Sequence, residues 1–518
     1  MIQNFRYILK DFIKLNNYFY KILSDKHATA TTYCISLLQF IKPHTEYFIK
    51  YKYFIKKNFY LFFFISFFEN NFRILKWLVR KIEDFFLGLS INKFGNLDQN
   101  KTDIIFVSCL VNLNSLEFRK NLNNDFLFGN IISDLRNRYN VKVFYINNTT
   151  LNSRNVFNEL SHNKNILILK KILSLSDEFL IFLIQFIELK NLILNFLIKK
   201  KINLNNFFLI VNNLFSYETR NNIRLKIQLE KLINIYYPRI LVVSFEGHCW
   251  EKIIFNICKS IKGTVIKTVA YQHAGVIDNQ FSINRKYKEN YNPDYIITSG
   301  NINLSFFFNF FSKKNNRLFE IGSNRSSISS EKNILRKFLY NEKRIANCLV
   351  IPEGTNDETK ILFDFSYELA KNNPKMNFIL RTHPQININK FLKKFFIFNR
   401  YTLMKNIIIS KNSFHKDLKK SQILLYRGST GVVTAVLNGL IPIYYKQPNE
   451  DINIDPIFKL KEFRKTISNK NDFNNVLNIK YFKKSSEIKL AIKFCKSYFT
   501  NQKRNKTLSI FNNILRSN

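Results

Sequence analysis

The sequence predicts an α/β fold made of two consecutive parallel-sheet units behind a helical prefix, and three observations predict it. Short runs of aliphatic residues recur along the chain, at 104–107, 240–244, 265–271, 348–351 and 423–426 among others, each bounded by polar or glycine-containing turns. Stretches of helical length separate these runs, which is the spacing of crossovers between parallel strands. The chain is also too long, at 518 residues, for one ordinary core, so two or three domains are expected.

Composition narrows the class. With 46% hydrophobic and 23% charged residues the chain is globular rather than disordered. The net charge of +43, from 80 basic against 37 acidic residues, ordinarily suggests nucleic acid or an anionic membrane surface. Lys, Asn, Ile and Phe are abundant throughout, the 54 Phe included, which is a global bias toward A- and T-rich codons more than a local binding patch. No arginine-rich arm, zinc-finger spacing or aromatic RNA-binding signature is present, so nucleic acid is set aside and weak contact with an anionic membrane fits the charge better. Cys34, Cys109, Cys249, Cys258, Cys348 and Cys495 form no CxxC pair, and the expectation is free thiols in a reducing cytoplasm. The start MIQNFRYILKDF lacks the succession of a secretory signal. The apolar run 59–68, FYLFFFISFF, is about half the roughly 20 residues needed to span a bilayer.

Taken in order, residues 1–100 read as a basic helical extension, with Phe5, Ile8, Leu9, Phe12 and Ile13 at helical spacing and lysines between. Either it caps the next domain or it lies in an anionic membrane interface, Phe inward and Lys outward. Residues 95–98, GNLD, form the linker. The first α/β unit, 101–318, carries a strand at 104–107, a helix through Tyr139, a strand at 141–146, helices over 155–201, a helix at 220–236 and a strand at 240–244. A helix at 252–262 and strands at 265–271 and 294–298 follow. The second unit, 319–484, carries strands at 348–352, 378–380, 406–409, 423–426 and 441–445, with helices between, and 485–518 forms a helical basic tail.

Chemistry gathers at the strand ends. Glu246 follows one strand and His273 the next, where open α/β sheets place their ligands, so the two are expected to face one site. The alternative is that Glu246 caps the following helix and His273 is structural. In the second unit three polar turns follow three strands: Pro352-Glu353-Gly354, Arg381-Thr382-His383-Pro384 and Arg427-Gly428-Ser429-Thr430-Gly431. Arginine suits bidentate binding of phosphate, hydroxyls donate, a helix start favours an anion, and Glu353 can accept from a sugar hydroxyl. A set of Glu353, Arg381, His383, Arg427, Gly428, Ser429 and Thr430 is therefore expected to bind a phosphate-bearing ligand. The plainer reading of RGSTG is a helix cap on a tight turn.

Several chemistries lack their motifs. There is no GxxxxGK[ST] loop, no GxGxxG fingerprint opening the first unit, no HExxH or other compact metal-ligand spacing, no DxD triplet and no GxSxG elbow. Neither a metal nor a resident cofactor is expected.

The stretches VVSFEGHCWE, YQHAGVI, LVIPEGTNDETKILF, FILRTHP and LLYRGSTGVVTAVLNGLIPIYY, within about residues 240–450, resemble those of bacterial surface-polysaccharide and capsule glycosyltransferases of the two-Rossmann-domain GT-B type, including the HP-motif sialyltransferase-like enzymes. The resemblance implies that His383-Pro384 and Ser429-Thr430 meet the nucleotide phosphate of a CMP-activated sugar and that Glu246 is the catalytic residue, although Phe-Glu-Gly here replaces two acidic residues and a glycine. It implies an inverting, metal-independent glycosyltransferase, cytoplasmic or peripheral at the inner face of the cell membrane, with a nucleotide sugar as co-substrate and a surface polysaccharide or glycolipid as acceptor; the first unit would bind the acceptor, with Glu246 or His273 as the base that takes its hydroxyl proton, and the second the nucleotide sugar. CDP-glycerol-type polyol-phosphate transferases share a comparable HP and serine-rich turn, and a non-catalytic carbohydrate-binding or assembly protein would keep the same fold.

Overall fold

A computed structural model describes Phe68 and residues 101–110, 125–147, 165–169, 173–197, 214–261, 265–275, 289–308, 317–326, 330–343, 346–384, 386–394, 404–448, 453–478 and 485–517, with isolated residues at 204, 207, 211 and 283. The expected helical prefix 1–100, its linker and Cys34 lie outside the described residues, Phe68 apart.

Two parallel sheets follow one another along the chain. The first contains β1 (Ile104–Leu110), β2 (Val141–Asn147), β3 (Ile166–Ile168), β4 (Ile240–Ser244), β5 (Lys267–Gln272), β6 (Tyr295–Thr298) and β7 (Leu318–Glu320) in the order β3-β2-β1-β4-β5-β6-β7. The second contains β8 (Asn347–Ile351), β9 (Asn377–Leu380), β10 (Ile407–Ile409), β11 (Ile423–Tyr426), β12 (Ile441–Tyr445) and β13 (Lys465–Ile467) in the order β10-β9-β8-β11-β12-β13. Every pairing is parallel. Each order runs outward from its first strand in both directions, which is the doubly wound, Rossmann-like pattern, so the GT-B class expected from the sequence is the fold of the chain.

The helices that matter below are α1 (Ile131–Arg136), α2 (Leu175–Leu197), α3 (Tyr217–Tyr236), α4 (Cys249–Ser260), α5 (Asn301–Ser305), α6 (Glu331–Lys343), α7 (Asn356–Asn372), α8 (Gly431–Val436), α9 (Ser485–Tyr498) and α10 (Arg504–Arg516). Local chemistry sets several of their ends. The Ser216 hydroxyl accepts the Thr219 N–H at the start of α3, and Thr355 caps α7 in the same way through Glu358 N–H. Tyr237 closes α3 in the left-handed region at φ 44°, just ahead of Pro238.

Alternation along buried strands explains the layering. Ile105, Val107, Leu241 and Val243 point to a core shared with α2, α3 and α4, whereas Ile104, Phe106, Ile240 and Val242 point to the opposite core with α1. That second core also takes Leu508, Ile510, Phe511 and Ile514 from α10. The chain thus returns at its end to the first unit, while α9 contributes Ile488, Ala491, Ile492 and Cys495 to the core of the second.

Three expectations are corrected. Residues 155–201 are not all helical: Ile166–Ile168 is an edge strand, because three aliphatic residues beside β2 are enough to extend a sheet. A boundary at 318–319 would cut β7, which pairs with β6 and belongs to the first sheet. Residues 485–518 are not a separate tail, since α9 and α10 complete the cores of the second and first units respectively.

Candidate functional site

The order of the first sheet reverses between β1 and β4, and that of the second between β8 and β11; ligands of such sheets bind outside the carboxyl ends of the strands at these points. Glu246 follows β4 directly. Ser244 pairs with Tyr271, and two residues on in each strand stand Glu246 and His273, so parallel register sets them side by side. The His273 Nε2 to Glu246 Oε1 distance is 3.2 Å. A second imidazole, that of His248, brings its Nε2 to 3.3 Å from the other oxygen of Glu246. The expected pair is thus a triad of side chains, with the Glu246 carboxylate held between two histidines.

Glu251 shapes the turn that carries two of them. Its buried carboxylate accepts the backbone N–H groups of Glu246, Gly247 and His248 at 2.8–2.9 Å, tying the turn to the first turn of α4. Gly247 takes φ 82°, which lets the chain reverse there. Burial pushes the Glu251 carboxyl up to about 8, against the pull of the N–H donors. Because these donors belong to Glu251, Glu246 is not the residue that caps α4.

At the second edge the turns converge on Glu353. Val350 pairs with Leu380 and Ile351 with Tyr426, so continuing the strands places Glu353 between His383 and Gly428. Glycine makes the approach possible. A Cβ on Gly428, where φ is +62°, would lie 2.9 Å from the Glu353 Cβ, and one on Gly354 would lie 3.1 Å from the His383 Nδ1. Ser429 and Thr430 follow, half-buried, ahead of α8. Thr430 makes no side-chain cap, and Ser429 Oγ accepts the Gly431 N–H at 3.3 Å, so only one of the two hydroxyls serves the turn.

The two arginines expected beside the donor are both engaged by the fold. Arg427 is fully buried; its Nε donates to Glu358 Oε2 at 2.6 Å and its Nη1 to the Tyr445 carbonyl at 2.9 Å. It cannot bind a donor, because its guanidinium points under the sheet edge to the first turn of α7. Arg381 donates Nη1 to the buried Asp417 at 2.9 Å and to the Asn412 carbonyl at 2.7 Å, and it keeps 23% side-chain exposure. Much of its charge is therefore matched within the protein.

Arg325 is a cation that sequence reasoning missed. It lies in the loop after β7 with its guanidinium 6.0 Å from the centroid of Phe126 and 5.6 Å from that of Phe499. Burial lowers its pKa, and Tyr271 and Glu246 act to raise it, so it shares the electrostatic environment of the first edge. Nothing in a lone Arg within NRSS signalled this, since Phe499 comes from the returning chain. His248 had a signal, two residues after Glu246 at the N-cap of a helix. Among the described residues no three His, Cys, Asp or Glu side chains are grouped as metal ligands would be.

One helix links the two edges. The helix α9 packs against α5, which follows β6, and against α8, which follows the RGSTG turn. Past its end, Thr500 N–H donates to the Ser299 carbonyl and Ser323 N–H to the Thr500 carbonyl, so the outgoing and returning passages run side by side.

No protein-family model and no curated protein sequence matches the chain. Among solved structures it is similar to a UDP-GlcNAc 2-epimerase from Methanocaldococcus jannaschii in complex with UDP-GlcNAc and UDP, at 14% identity and a TM-score of 0.43 over 76% of this chain and 99% of that one. MurG from Acinetobacter baumannii matches at 10% identity and a TM-score of 0.44 over 79% and 99%. A UDP-forming trehalose-phosphate synthase from Burkholderia vietnamiensis matches at 9% and 0.43 over 80% and 99%. Identities and TM-scores this low assign neither donor nor reaction to the chain. Among the described residues no helix is long and apolar enough to cross a membrane.

Proposed function

We propose that the protein is an inverting glycosyltransferase that moves a sugar from a nucleotide-sugar donor to a surface polysaccharide or glycolipid acceptor without a metal. The observation that carries this reading is the Glu246 carboxylate held between His248 and His273 at the carboxyl ends of β4 and β5, next to the point where the first sheet reverses its order. The acceptor hydroxyl attacks the anomeric carbon as the bond from that carbon to the phosphate oxygen breaks, and the electron pair of that bond leaves with the phosphate. Glu246 takes the hydroxyl proton, with the two imidazoles orienting its oxygens and spreading the charge change.

The donor lies on the second edge. Glu353 accepts from a ribose or sugar hydroxyl, and His383, Ser429 and Thr430 donate to the phosphate, with Gly428 admitting it close to the backbone. Arg325 supplies positive charge where the phosphate departs, and Arg381, already paired to Asp417, contributes less. A CMP-linked sugar is the donor implied by His383-Pro384 and Ser429-Thr430.

Nucleotide release from candidate nucleotide sugars, in wild type and Glu246→Gln, tests the assignment. Removing the base is expected to lower kcat by about 100-fold or more while nucleotide binding persists. Turnover in Glu246→Gln equal to wild type would remove Glu246 from the chemistry, and transfer of a polyol-phosphate unit from a CDP-polyol, with CMP leaving and no turnover of any nucleotide sugar, would overturn the reaction class.

A further inference from the structure

The helix α2 is built inside out. Its inward positions Glu178, Ile181, Gln185, Glu188 and Leu192 recur at helical spacing and are buried, and three of these five are polar. Two of the three are met by α3 and the segment before it: Arg224 donates to both oxygens of Glu178 at 2.8 and 2.9 Å, Arg220 Nε donates to Gln185 Oε1 at 3.2 Å, and Gln185 Nε2 donates to the Leu214 carbonyl at 2.7 Å. The opposite face carries Leu175, Phe179, Leu183, Phe186, Ile187 and Leu197, between 43% and 77% exposed. A helix packed on a water-soluble core places these residue types the other way round, and a continuous apolar stripe of this length marks a surface that another apolar phase covers.

Charge identifies the phase. In sequence the helix is bracketed by Lys170-Lys171 on one side and Lys199-Lys200-Lys201 on the other, and the whole chain carries +43. Lys190 is exposed within the apolar face itself, where a long side chain can bury its stem and keep its ammonium at the headgroups. Apolar face and basic flanks together are the makeup of a helix lying in the plane of an anionic membrane, and among the described residues no helix is long and apolar enough to cross one.

We propose that the exposed face of α2 docks the first unit onto an anionic lipid surface. The face belongs to the unit that carries Glu246, joined to it through α3, whose Asn222 amide donates to Cys249 Sγ at the start of α4. Membrane docking would therefore hold the unit that carries Glu246 at the lipid surface. The inference does not rest on the transfer reading, because lipid binding is read without nucleotide or turnover.

The test is sedimentation of the full chain with vesicles of phosphatidylcholine alone and of equal parts phosphatidylcholine and phosphatidylglycerol, for wild type, the Phe179→Gln/Phe186→Gln double variant, and a chain lacking residues 1–95. Wild type is expected to pellet with the anionic vesicles, more weakly in high salt, and the double variant to lose at least about tenfold in partitioning with its melting temperature unchanged. Equal binding of wild type and the double variant overturns the proposal. So does binding lost on deleting 1–95 but kept in the double variant, which would make the prefix the anchor. Self-association of wild type in vesicle-free solution that the double variant abolishes, with no pelleting of either, would assign the face to a second copy and overturn it equally.

Discussion

At the residue scale, two arginines show how a side chain's surroundings decide its role. Arg427 sits in a turn whose letters suggest phosphate binding, yet its partner Glu358 comes from the start of a different crossover. Sequence places both residues after strands but does not show that one strand end buries its arginine beneath the other. Arg427→Met should cost about 3–5 kcal/mol by leaving Glu358 buried and unmatched, and adding Glu358→Leu should restore most of that, because two apolar groups replace a paired charge at little net cost. Denaturant unfolding of the two single variants and the double variant checks the cycle. Glu251 gives a prediction in pH. Its carboxyl is raised from 4.5 to about 8, so between those values the folded chain holds a proton that the unfolded chain has released, and this contribution to stability falls as pH rises through the window. Melting temperatures of wild type should therefore decline more steeply across that range than those of Glu251→Gln; parallel curves would show that the carboxyl is ionised throughout by its three N–H donors.

Turns and their strands form the next scale. The RGSTG turn works because Gly428 occupies a left-handed conformation against the Glu353 side chain. Gly428→Ala strains the backbone and displaces Glu353 together, at about 1–3 kcal/mol for the conformation alone. It should weaken nucleotide binding far more than Gly431→Ala, whose Cβ would meet side-chain ends and no backbone: Ile351 Cδ1 at 3.0 Å, the Ser429 hydroxyl at 3.2 Å and Phe414 Cζ at 3.3 Å. Titration calorimetry of both variants separates these outcomes, and equal affinities would detach the turn from the donor. Most strands at this scale were legible, because a buried parallel strand is a short aliphatic run between polar turns. The edge strands β3 and β13 were not: three residues each, they depend on a neighbouring strand rather than on a pattern of their own. The pairing of Glu246 with His273 was legible because residues just beyond adjacent parallel strands share an edge. His248 and Arg325 were not picked out, the first for standing in a helix cap and the second because its aromatic neighbours are distant in sequence.

The whole molecule joins these edges through its returning chain. After α9 completes the second core, residues 498–501 pass the carboxyl ends of β6 and β7, where Gly300 leaves room: a Cβ there would lie 2.4 Å from the Tyr498 carbonyl oxygen. Phe499 then meets Arg325, and α10 packs Phe511 and Ile514 into the first core. The last helices thus hold the RGSTG turn, Arg325 and the Glu246 edge in one framework. That crossing was illegible in sequence, since α9 and α10 read alike as basic amphipathic helices and nothing local assigns them to different sheets. We propose that the second edge binds a nucleotide through His383, Ser429 and Thr430 while Glu246 acts on the other side. The most direct test of this proposal is a thermal-shift screen of CMP, CDP, UDP and GDP against wild type, Glu246→Gln and a His383→Ala/Ser429→Ala/Thr430→Ala variant. One nucleotide, CMP by the resemblance, should raise the melting temperature of wild type and Glu246→Gln by roughly 5–10 °C at a hundredfold excess over Kd, and leave the triple variant unmoved. No shift in wild type with any nucleotide, or an equal shift in the triple variant, would contradict it.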